Sequence, residues 1–190
     1  EGLIRFCRTE PRLPDLGAKE VRRDAEPLGL TPDLPRDGLI ARLEAIRDRN
    51  PMADLAFYAY RDLTRTPPEP FLKAALERNP VSLAAAAGWP EADLAARVAA
   101  LPNASIYDGP GRLAQPDEVW NYQRGDGVER ALLLGHLLRA RRPDRPVAVE
   151  VEPDAARVVA EGRPASSFPS DKGLPAQTWR LAPSPAGPRG

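Results

Sequence analysis

Two hydrophobic periodicities divide the chain. Between Arg36 and Ala100 apolar residues recur at three- and four-residue steps, the repeat of an amphipathic helix. Leu39, Ile40, Leu43 and Ile46 predict a first helix ending near Asn50. Asn50-Pro51 then supplies an N-cap and a first helical residue for a second helix, with Met52, Leu55, Ala56, Ala59 and Leu63 on one side. Thr66-Pro67-Pro68-Glu69 reads as a capping box opening a third helix through Phe71, Leu72, Ala75 and Leu76. Asn79-Pro80 repeats the device for a short alanine-rich helix, which Gly88 is placed to close in the left-handed conformation. A fifth helix, from Pro90 to Ala100, presents Leu94, Val98 and Leu101. Short helices with proline-marked joints predict an antiparallel helical subdomain over residues 36–102.

The longest apolar helix starts at Asp126, whose carboxylate and Glu129 three positions on form a second capping box. Val128, Ala131, Leu132, Leu134, Leu137 and Leu138, with Leu133 on another face, make a stripe too broad for a surface helix. Before it, Asp108-Gly-Pro-Gly111 marks a turn, Ile106 and Tyr107 a short strand, and Pro116 to Trp120 a helical turn. After it the period changes to two: Val147, Val149 and Val151 alternate with Ala148, Glu150 and Glu152. Further strands are predicted at Arg157–Ala160, near Ala165–Phe168 and at Gln177–Leu181, the last with Trp179 inward. The expected architecture is α+β, an N-terminal helical subdomain followed, over residues 103–182, by a central helix packed on a small antiparallel sheet. Residues 1–35, broken by five prolines, read as an extended arm, and residues 183–190 as a flexible tail.

Composition narrows the function more than the fold. The 190 residues, 42% apolar, can build a real core, and Lys+Arg balances Asp+Glu at 27 each, which argues against a nucleic-acid binder or a polybasic membrane anchor. A single cysteine, Cys7, excludes an internal disulfide and a multi-cysteine zinc site. No apolar run is long enough to span a bilayer. A chain opening at Glu1 is compatible with a processed form or with part of a longer protein, and the reading leans towards a secreted or periplasmic setting.

The approach Trp120-Asn-Tyr-Gln-Arg-Gly-Asp126 and the helix that follows, with Ala131-Leu-Leu-Leu and Leu137-Leu-Arg-Ala140, resemble the nucleophile helix of the transglutaminase-like superfamily. That resemblance covers roughly residues 104 to 181. It implies the order of central helix then antiparallel meander, and a groove at the helix start. It departs from the family where the chemistry lies: the nucleophilic cysteine position is Gly127, and no histidine follows His136 to act as the strand base. A carboxylate that orients an imidazole has nothing to orient here.

The remaining candidates are few. A Cys7–His136 dyad would join an irregular arm to the middle of a buried helix. Arg124-Gly125-Asp126 spells an integrin-binding tripeptide, yet a turn glycine and a capping aspartate account for it. Arg139, Arg141, Arg142 and Arg145 cluster at the helix C-terminus, where cations meet the dipole and an anionic partner could bind. Ser166 to Lys172 lacks a nucleophile elbow and reads as a loop. The sequence therefore predicts a catalytically silent, transglutaminase-like protein-interaction or scaffold module of a larger assembly, with no cofactor and no metal, binding a protein partner in a groove formed by Trp120, Tyr122, Asp126 and Gly127. The competing reading is a hydrolase using Asp108, Asp117 or Glu118 near that groove.

Overall fold

The computed structural model describes residues 26–162 and 165–181; Cys7, most of the N-terminal arm and the C-terminal tail lie outside them. Two compact units divide the chain, residues 1–54 and 55–190. In the described part of the first, helix α1 (Arg36–Ile46) buries Leu43 and Ile46. Arg42 straps the segment before it by donating to the carbonyls of Leu28 and Pro27, both at 2.8 Å. Asn50 caps α2 (Pro51–Tyr60) as its sequence predicts, its side chain accepting from the amides of Met52 at 2.9 Å and Ala53 at 3.2 Å.

The inward face of α2 differs from the expected one. Ala53 and Phe57 are buried, whereas Met52 and Leu55 are 57% and 54% exposed. Alanines and aromatics surround this helix on all sides, so its apolar pattern selects no unique face.

The second unit holds the larger core. Helix α3 (Glu69–Glu77) begins after two prolines rather than at Thr66, whose hydroxyl instead donates to the Asp62 carbonyl at 2.8 Å. Helix α4 (Pro80–Ala86) follows, then a 3-10 turn (Glu91–Asp93) running into α5 (Leu94–Ala99). Gly88 is not in the left-handed region; α4 simply ends at Ala86. Ile106 and Tyr107 form no strand. Helix α6 (Pro116–Tyr122) and the central helix α7 (Gly127–Arg141) come next, joined by Gln123 at φ 52°.

Four strands complete an antiparallel sheet in the order β3-β2-β1-β4: β1 Val147–Val151, β2 Ala155–Ala160, β3 Ser166–Pro169 and β4 Gln177–Arg180. Part of the expected Ser166–Lys172 loop is thus strand. With seven α-helices among the described residues, the chain is α+β.

Every α7 residue from Gly127 to Leu138 is buried. One side of α7 meets β1, β2 and β3, and its other sides meet α3, α4, α5 and α6. Phe71, Leu72, Leu94, Val98, Leu132, Val149, Phe168 and Trp179 accordingly share one apolar cluster. Gly135 permits the close approach of helix to sheet: a Cβ there would fall 2.6 Å from Leu181 Cδ1.

Candidate functional site

At the start of α7 two buried carboxylates organise the chain around them. Asp126 Oδ1 accepts from the Val128 amide at 2.9 Å and the Ser170 hydroxyl at 2.7 Å, and Oδ2 from the Asp171 amide at 2.8 Å. Glu129, fully buried, accepts from the Asp126 amide at 2.8 Å, the Ser105 hydroxyl at 2.6 Å and the Ala114 amide at 2.8 Å. The capping box legible in the sequence is therefore also the junction of three chain segments. Buried acceptors so fully engaged leave little capacity for a substrate.

Asp126 lines a pocket of about 340 Å³ with Asp108, Asp171 and Lys172, but Gly127 has no room for a side chain that would reach a groove at this point. An ideal Cβ on it would lie 2.1 Å from the Pro169 carbonyl oxygen and 2.8 Å from that of Phe168. The backbone leaving β3 occupies the volume that a cysteine side chain would need. Asp126 and Gly127 are covered, Tyr122 is 63% exposed and Trp120 is half-buried, so the four residues do not line one groove.

Trp120 instead faces its own pocket. Its ring and that of Trp89 meet at 5.2 Å between centroids and 57° between planes. Around them Val98, Leu101, Pro102, Gln123, Leu133 and Leu137 enclose about 450 Å³. The exposed guanidinium of Arg97 lies 4.5 Å from the Trp89 ring centroid. Sequence reasoning missed Trp89 and Arg97. The only local signal was a tryptophan set between Gly88 and Pro90, and nothing in a linear pattern pairs it with a residue 31 positions on.

The arginine cluster is mostly committed within the fold. Arg141 donates to the carbonyls of Ala86, Ala87 and Trp89 at 2.5, 2.9 and 3.2 Å, closing the end of α4. Arg142 pairs with Glu91 at 2.9 Å, and Arg145 reaches the Glu161 carbonyl at 3.4 Å. Arg139 is half-buried, with its Nε lacking a hydrogen-bond partner. These side chains staple loops rather than present one open anion-binding patch.

Two of the three carboxylates of the hydrolase reading are likewise engaged. Asp117 caps α4 from a distance, accepting from the amides of Val81 and Ser82 at 2.9 and 2.7 Å and from the Ser82 hydroxyl at 2.7 Å. Burial would raise the Glu118 pKa. Two bonds from Arg61 at 2.6 and 2.9 Å, the Gln115 amide at 2.8 Å and the Tyr107 hydroxyl at 2.6 Å outweigh it and lower the pKa to about 2. Such a group stays ionised and is a poor proton donor near neutrality. Asp108 is exposed.

His136 sits in the core, its Nε2 3.0 Å from the Asn79 carbonyl and its Nδ1 without a partner. Burial pushes its pKa down, against smaller upward effects of Asn79 and Asp117. Lys172 is also buried, and its ammonium donates to the carbonyls of Tyr107, Gly109 and Arg112 at 2.8, 3.0 and 2.8 Å. Burial lowers its pKa, while Glu129, Asp126 and Asp108 act in the opposite sense. It fastens the 107–112 loop. No cluster of three His, Cys, Asp or Glu side chains suited to a metal ion occurs among the described residues, and no described helix is long and apolar enough to cross a membrane.

Compared with protein-family models, curated proteins and solved structures, the chain finds no match.

Proposed function

We propose that this chain is a non-catalytic, transglutaminase-like module that binds a protein partner within a larger assembly, using the pocket beside Trp89 and Trp120. The observation that carries this reading is the Pro169 carbonyl oxygen 2.1 Å from where a Gly127 side chain would begin. The position at which the family's chemistry needs a thiolate has no room for one. Full engagement of Asp126, Glu129, Asp117 and Glu118 in internal bonds supports the same reading. An aromatic pocket opening to solvent beside that sealed site is the kind of surface that anchors a partner side chain.

The test is a defined complex purified from the cells that make the protein, together with a panel of amide, ester and glycoside substrates. The expected result is a stoichiometric complex that dissociates on Trp120→Ala and a panel left unturned. Turnover abolished by Glu118→Gln or Asp108→Asn would replace the module with a hydrolase.

A further inference from the structure

The two indoles, their floor and the arginine at their rim specify more than a generic apolar depression. Buried Val98, Leu133 and Leu137, the tilted Trp89–Trp120 pair, Leu101 and Pro102 line the pocket. A cavity of about 450 Å³ lies within the range that accommodates small ligands or one or two side chains. Ala100, Pro102, Gln123 and Arg97 around it are all exposed, so an occupant would be held from one side and not engulfed. That geometry fits a passing peptide segment better than a free metabolite, which pockets usually bury by 70–90% or so.

Arg97 sets the sign of that segment. Among the described residues it is the only charged one lining the pocket, and no described carboxylate lines it. Its Cζ lies over the Trp89 ring, 4.5 Å from the centroid, and a guanidinium held over an aromatic face keeps its N–H donors for a planar carboxylate. Three other arginines of α7 and its end are committed differently: Arg130 to the Leu101 carbonyl and Asn103, Arg141 to the end of α4, Arg142 to Glu91. Arg97 is thus an exposed cation held over Trp89 among the residues lining an apolar pocket.

We propose that the pocket binds an acidic peptide segment of the partner, inserting a bulky apolar side chain against Trp89 and Trp120 while a neighbouring carboxylate pairs with Arg97. This assignment rests on the partner-binding function proposed above and names the chemistry of what is bound. A hydrophobic anchor with one charge-assisted pair at its rim gives an affinity that depends on both parts and a selectivity that depends on the pair.

Blocked tripeptides test it directly on the whole chain: acetyl-Glu-Phe-Glu-amide, acetyl-Lys-Phe-Lys-amide and acetyl-Glu-Ala-Glu-amide, with 3-phenylpropionate as the free acid. The readout is the indole N–H resonance of each tryptophan, with buried Trp179 as internal control. The Glu-Phe-Glu peptide is expected to shift Trp89 and Trp120 but not Trp179, and to bind at least about tenfold tighter than either other peptide. Arg97→Gln is expected to bring the Glu and Lys peptides within about twofold of each other while keeping the preference for Phe over Ala. Equal binding of the Glu and Lys peptides, insensitivity to Arg97→Gln, or tighter binding of 3-phenylpropionate than of any peptide would overturn the assignment.

The two proposals fail separately. Loss of the native complex on Trp120→Ala without charge preference among the tripeptides leaves the module standing and removes its acidic ligand. Tripeptide selectivity with a native complex indifferent to the pocket keeps the ligand chemistry and moves the partner surface elsewhere. Should Trp120→Ala not fold, the exposed Arg97→Glu makes the same distinction, since it reverses the rim charge without opening the core.

Discussion

Gly127 stands where the proposed transglutaminase-like likeness would put a cysteine, and it offers neither the chemistry nor the space for one. Adding a sulfur there would not create a site, because the Cβ itself would collide with the backbone at Phe168 and Pro169. Gly127→Cys is expected to destabilise the fold by about 3 kcal/mol or more, the upper range for overpacking against backbone that must shift, and to yield no reactive thiolate in the folded chain. Urea denaturation and thiol titration of the variant check both statements. Glu118 gives a second residue-scale prediction. Its depressed pKa means that its contribution to stability is full above about 4.5, its ordinary value, and is lost as pH falls towards about 2. Replacing it by Gln removes that part of the acid dependence, on the order of 1–2 kcal/mol once solvent screening is included, visible as a flatter denaturation midpoint between those two pH values.

Helix α4 shows why the elements were only partly legible from the sequence. Seven residues cannot hold a helix alone. The Asn79-Pro80 pair looks like a local cap, but the Asn79 side chain points back to the carbonyls of Ala74 and Ala75 at 3.1 and 3.0 Å. The cap comes from Asp117, and Arg141 closes the other end. Neither partner is adjacent in sequence, and periodicity carries no trace of them. By contrast α7 and β1 were read nearly to the residue, because Asp126, Glu129 and the valine alternation are local signals that burial, of the whole of α7 and of one face of β1, reinforces. The face of α2 was misread for the opposite reason: its pattern offers several apolar sides and only packing chooses. Asp117→Ala and Arg141→Ala are expected to cost about 1–2 kcal/mol each, as lost caps do. Amide exchange should localise the loosening to residues 80–86 in both variants.

At the scale of the second unit, the buried His136 titrates against the unfolding of the core that holds it. His136 is held neutral by burial, with Arg139 adding to the downward shift and Asp117 opposing it. Its folded pKa is therefore below 6.5, and the unfolded chain takes up the proton first as pH falls. Stability from this source is complete above about pH 6.5 and declines below it by up to about 1.4 kcal/mol per pH unit until the folded-state pKa is reached. Denaturant midpoints measured from pH 7.5 to 5 should fall, and His136→Gln should abolish the slope in that window.

Lys172 offers a different kind of readout. An amine whose three donors all grip the carbonyls of Tyr107, Gly109 and Arg112 has no lone pair to offer an acylating reagent until that grip breaks, whereas the side chain of Lys73 lies in solvent. Timed acetylation followed by peptide mass mapping should mark Lys73 at once and Lys172 only as often as the molecule opens around it. The chain thus carries its own clock for the release of that loop, and any partner that clamps the surrounding surface should slow it.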